Sequence, residues 1–175
     1  VPSMEVITVD EAALDPDTRY LLASIEELNS FGLPVGSWSF VFDRQGRVVW
    51  ALATPAGHAT LQARLSWDGT DLLIDHNSFY AVFDGGATSQ VARLKIDGSQ
   101  LAIYDTPGLH HPFTDTPDGS ILYAATAKTY DSLVQLHPSG EAEILWACQP
   151  FQEGLGVDQY CTSNAVFYHQ PSDRV

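Results

Sequence analysis

Positive charge is what this sequence has least of. Of 175 residues, 8 are Lys or Arg against 22 Asp or Glu, a net charge of −14. Only Lys95 and Lys128 are lysines. Such a chain has no patch to neutralise phosphates, which argues against nucleic acid and anionic membranes as partners. High acidity with few lysines suits an extracellular or saline setting. Long apolar runs are also missing. None approaches the roughly 18 residues of a membrane helix, so no membrane span is expected. No signal peptide is visible at Val1, as in a secreted protein after its leader is removed. The sequence has no C-x-x-C, H-E-x-x-H, G-x-S-x-G, P-loop, G-x-G-x-x-G or calcium-loop pattern. Cysteine is scarce too: Cys148 and Cys161 stand alone, at the ends of a loop rich in Gly, Gln and Pro. A disulfide between them would close a short loop and contribute about 3 kcal/mol in the chain-entropy model. It would place the chain in an oxidising compartment, secreted or periplasmic. Two free thiols in a cytosolic protein are the other reading.

What the chain does have is repetition. Hydrophobic residues make up 45% of it, which speaks against disorder. Residues 108–123, GLHHPFTDTPDGSILY, read as a strand, an Asp118-Gly119 turn and a second strand, with a His pair at the start. Residues 57–74 repeat the plan around His58 and Asp68-Gly69. Residues 161–175 repeat it with polar residues in place of the His. His58 and His110 lie 52 residues apart, as do His110 and Thr162. A second hairpin type alternates with the first, around Gly46, Gly98 and Gly140. In the first of these, Trp38, Phe40 and Phe42 alternate onto one face. Trp50 and Trp146 follow their turn glycines and suggest a shared packing site. A period near fifty with several short strands per unit is the pattern of propeller blades.

The expected fold is therefore all-β: a β-propeller of which this chain covers about half the ring. A partial blade is expected over 19–52, blades over 57–104 and 109–147, and the start of another over 162–175. Arg19 to Ile25 reads as a buried strand, with a short helix equally allowed by its periodicity, and residues 77–89 as an insertion or long loop. Exposed sheet edges must be covered, so the remaining blades or a second chain are the expected partner. A small open sheet sandwich is the competing architecture.

Recurrence every 52 residues would bring His58, His110 or His111, and residues 162–164 to one channel mouth. A small-molecule ligand is expected there. Imidazoles in that place can act as base, nucleophile or hydrogen-bond donor. His110, His111 and Asn164 are the candidate catalytic residues. His58, Thr162 and Asp115 are the candidate ligand-binding residues, and Asp115 also serves any two-carboxylate chemistry. Adjacent strand residues point to opposite faces, so His110 and His111 should not share an ion. No metal site and no cofactor are assigned. Calcium on loop oxygens near Asp75 or Asp84 is the one ion left open.

The segment LHHPFTDTPDGSILYA resembles the His-His-Asp and Pro-Asp-Gly strand pair of arylsulfate sulfotransferases, secreted bacterial six-bladed propellers. CTSNAVFYHQPSDRV is similar to that family's next inner strand, and FDRQGRVVW to its outer hairpin. The resemblance implies six blades, a channel-mouth site and metal-free sulfuryl transfer between phenols through a His intermediate. It places a family His on His110 or His111 and a family Asn on Asn164. Thr162 stands where the family has His, and Pro112 where it has Asp. The family's channel Arg and nucleophilic His would fall past Val175. A non-catalytic glycan- or protein-binding propeller module is the alternative.

Overall fold

The computed structural model describes residues 19–28, 30, 34–77, 87–127, 130–155, 165, 166 and 168. Within them the chain is all-β apart from one short helix, and every strand pairing is antiparallel. The first sheet runs β1 (Tyr20–Leu28), β2 (Pro34–Asp43), β3 (Val48–Ala53). The second runs β4 (Ala63–Leu65), β5 (Leu72–His76), β6 (Gln90–Leu94), β7 (Gln100–Asp105). The third runs β8 (Leu109–Asp115), β9 (Ile121–Ala127), β10 (Tyr130–Leu136), β11 (Ala142–Ala147). Each sheet is a meander in chain order, which short turns alone can build.

The turns follow from Asp-Gly chemistry. Gly69 N–H donates to the Ser66 carbonyl at 2.8 Å, and Gly119 N–H to that of Thr116 at 2.9 Å. The Asp68 carboxylate accepts from Thr70 N–H, and that of Asp118 from Ser120 N–H, both at 3.1 Å. Each Gly then sits at positive φ, 72° and 83°, where a side chain is strained. Hydrogen bonds of the same kind close the turns at Gly46, Gly98 and Gly140.

Packing sets the sheets face to face. All five residues of β5 are buried, because the second sheet is covered on both sides. Leu72, Ile74, Ala92 and Leu94 pack against Leu22, Trp50 and Leu52 of the first sheet. Leu73 and Val91, on the opposite face, join Leu109, Phe113, Ile121 and Tyr123 of the third. The far side of the third sheet continues the stack, with Leu122 and Ala124 against Val166 and Tyr168. Each fully buried Leu, Ile or Phe contributes roughly 1.5–3 kcal/mol by leaving water. The continuous apolar run of β5 is the sequence mark of this double coverage. The last strand lies outside it: β11 exposes Ile144, Leu145 and Trp146.

Three expectations change. β1 forms where a strand is expected, but Tyr20, Leu21 and Ile25 are exposed: one side of the first sheet is left partly open. The stretch after Cys148 opens as a helix, α1 (Cys148–Leu155), rather than a loop. Pro150 falls in its first turn, where no backbone donor is needed, and Gln149 Nε2 donates to Glu153 Oε1 at 2.9 Å. Trp50 and Trp146 do not share a site. Trp50 packs on the second sheet and donates to the Ile96 carbonyl at 2.6 Å. Trp146 is 45% exposed, two positions further from its turn glycine.

Candidate functional site

A Thr-Pro-x-x-His segment leads into each histidine-bearing strand: Thr54 to His58 before β4, and Thr106 to His110 at the start of β8. Both segments are tied back to the preceding sheet in the same way. Thr54 N–H donates to the Ser37 carbonyl at 2.9 Å, and Thr106 N–H to that of Ser89 at 2.8 Å. In each pair Ser and Thr lie at positions 52 residues apart from their counterparts. The backbone repeat is thus real at atomic detail, and the side chains depart from it.

At the first junction a chain of hydroxyls is complete. Ser37 Oγ donates to Thr54 Oγ1 at 2.8 Å, Thr54 Oγ1 to Thr60 Oγ1 at 2.9 Å, and Thr60 Oγ1 to the Asp75 carbonyl at 2.9 Å. Thr60 N–H returns to Ser37 Oγ at 2.9 Å. At the second junction Pro112 takes the place of Thr60 and supplies neither hydroxyl nor N–H. Thr106 Oγ1 is left buried with no hydrogen-bond partner among the described residues. Ser89 Oγ turns instead to the Asn77 carbonyl at 2.5 Å.

The histidines diverge accordingly. His58 is exposed; its Nδ1 lies 3.0 Å from Asn77 Nδ2 and its ring 5.1 Å from that of His76. Because an amide nitrogen only donates, that Nδ1 is the acceptor. His76 is buried, and burial, helped by His58, lowers its pKa to about 4. His110 is 2% exposed, with Nδ1 at 3.2 Å from Oδ2 of the equally buried Asp131. An ionised carboxylate can only accept, so Nδ1 is the His110 nitrogen placed to donate to it. His111 stands against it with ring centroids 4.6 Å apart. Burial first, then His110, lowers the His111 pKa, with Asp131 opposing.

The expectation that His110 and His111 point to opposite faces is therefore corrected. The β8–β9 register breaks between Leu109 and Phe113. This irregularity suspends the strict alternation of strand side chains, so the two rings meet.

Asp115 does not sit with the His pair. It lies at the other end of β8, five residues on, or about 15 Å along a strand. There it is fully buried, accepts from Trp67 N–H at 2.8 Å and pairs with Arg93. Asp71 reaches Arg93 as well, at 3.6 Å, and Arg64 donates to the Phe113 carbonyl. Burial raises the Asp115 pKa against the pull of Trp67 N–H and Arg93, and lowers that of Arg64. The cluster locks the second sheet to the edge of the third, and both Asp115 oxygens are engaged within it. Asp75 is similarly engaged, accepting from Leu61 N–H at 3.0 Å and Gln62 N–H at 2.6 Å. Among the described residues no three His, Cys, Asp or Glu side chains gather as a metal site. Thr162, Asn164, Cys161, Asp84 and the blade expected over 162–175, its residues 165, 166 and 168 apart, lie outside the described residues. Cys148 is buried at the start of α1.

Asp131 and Asn77 are the site residues that the sequence reading missed. A signal for Asp131 exists: it stands nine residues before Gly140, as Ser37 and Ser89 stand nine before Gly46 and Gly98. An acid replacing Ser at that position marks the junction as chemically different.

No protein-family profile matches the chain, and no curated protein matches it significantly. Two solved structures are similar. One is a protein of unknown function from Bacteroides caccae, at 18% identity and TM-score 0.44, covering 71% of this chain and 56% of its own. The other is a eukaryotic initiation factor, at 13% identity and TM-score 0.43, covering 77% of this chain and 35% of its own. The chain thus spans about half and about a third of those two lengths.

Proposed function

We propose that this chain is part of a β-propeller whose histidine-bearing end binds a small anionic ester, with His110 as the chemically active imidazole. The observation that carries the reading is the His110–Asp131 contact. A carboxylate at Nδ1 fixes the tautomer, turns Nε2 to the ligand and stabilises the ring when it takes up charge. Sulfuryl transfer between phenolic compounds is the reaction this arrangement suits, with His111 and Asn164 binding the ester oxygens. Propeller closure is proposed from the face-to-face stacking of three meanders and from the exposed Leu21 and Ile25 of the first sheet. Further blades, on this polypeptide or a second chain, would cover that face. A Cys148–Cys161 bridge and a secreted or periplasmic location belong to the same proposal, tested by alkylation before and after reduction.

The experiment is release of 4-nitrophenol from 4-nitrophenyl sulfate, with phenol as acceptor, by the assembled protein. Turnover that falls at least about 100-fold in His110→Gln supports the reading. Turnover indifferent to His110→Gln and Asp131→Asn overturns it. One observation favours a second reading: at 2% exposure, His110 is also placed to brace the loop. The protein would then be a glycan- or protein-binding module, recognised by ligand capture with no turnover.

A further inference from the structure

A pocket lies between the first two sheets, away from the His110 pair. It measures about 120 Å³. Leu52, Ile74 and Leu94 give it apolar walls, and His76, Ser39 and Thr54 supply its polar atoms. Among the described residues, no charged side chain lines it.

His76 is 6% exposed and Ser39 1%. Among the described residues neither the His76 ring nor Ser39 Oγ is hydrogen-bonded, and their polar atoms are not sealed from solvent but line the pocket. A neutral imidazole carries one N–H and one lone pair, and a hydroxyl can complement either. Thr54 differs, since its hydroxyl is spent on Ser37 and Thr60.

We infer that this pocket binds a small uncharged alcohol with the bulk of about one ring. The apolar walls take the hydrocarbon, and the hydroxyl pairs with His76 and Ser39. A cavity of about 150 Å³ holds benzene, so a slightly smaller one open to solvent suits a cyclic alcohol. A carboxylate or ammonium ligand would lose its hydration with no opposite charge to meet it. The inference stands apart from the sulfuryl-transfer reading, because it uses other residues.

The test is a titration of the isotope-labelled chain with cyclohexanol, followed by the amide and imidazole signals in nuclear magnetic resonance spectra. Saturable shifts at Ser39, Ile74, His76 and Gly98 are expected, and none with cyclohexanecarboxylate. His76→Phe should weaken binding roughly fivefold or more, the share of one hydrogen bond. Ser39→Ala, a milder change, reads the same loss if His76→Phe does not fold. Absence of saturable shifts in the wild type, equal shifts with the carboxylate, or unchanged affinity in the variants would overturn the inference.

Discussion

The two Thr-Pro-x-x-His junctions use one backbone for two environments. At residues 54–60 the segment is stitched by three hydroxyls, and its histidine is exposed beside an amide. At 106–112 a proline breaks the stitching, and the histidine is buried against a carboxylate. The difference teaches where function is to be sought. The repeat fixes the chain path, and the proposed chemistry falls on positions that depart from it.

The largest effect should come from Gly108. Its φ is 76°, and a Cβ there would meet the Thr126 carbonyl at 2.9 Å. Gly108→Ala is expected to cost about 2–4 kcal/mol in denaturant unfolding, combining strain with a backbone clash. Gly57, the glycine of the first junction, has φ 85° but open space around it. Gly57→Ala should cost only about 1 kcal/mol. Equal costs would show that the second loop is not tied to β9 as described.

Next in size is a pH effect confined to the first junction. The pKa of His76 is lowered from 6.5 to about 4 in the folded state. The unfolded chain therefore binds the extra proton first. Stability should fall as pH drops from about 6.5 to about 4, by up to about 3 kcal/mol, and not change further from this cause below that. In His76→Phe this portion of the slope should vanish. A slope that survives the substitution would assign the acid sensitivity to other groups.

Smaller again is the contrast between the threonines. Thr60→Val removes a hydroxyl that both accepts and donates, and should cost about 1–3 kcal/mol. Thr106→Val removes a buried hydroxyl without a partner, and should be neutral or stabilising by a few tenths to about 1 kcal/mol. If the two substitutions cost the same, the hydroxyl chain is not what distinguishes the junctions.

Much of the architecture was readable beforehand. Asp-Gly pairs, turn glycines and alternating aromatics such as Trp38, Phe40 and Phe42 encode hairpins through local backbone rules. An all-β chain follows from them. The site was less readable. The meeting of His110 with His111 depends on a register break that no alternation pattern announces. The pairing of Asp131 with His110 joins positions 21 residues apart through tertiary packing. Asp115 read as a site residue because it shares a strand with the histidines. Strand length separates them, and Arg93, which claims Asp115, comes from β6. Helix α1 was hidden because Pro and Gly read as loop, although Pro150 falls where a first turn tolerates it.

The central claim is that Asp131 sets the tautomer of His110 while His58, its counterpart, is set by Asn77. Long-range proton–nitrogen correlation spectra of the imidazoles test this directly at neutral pH. The account predicts the proton of His110 on Nδ1 and that of His58 on Nε2, with His110 losing its preference in Asp131→Ala. A wild-type His110 protonated on Nε2 alone would contradict it.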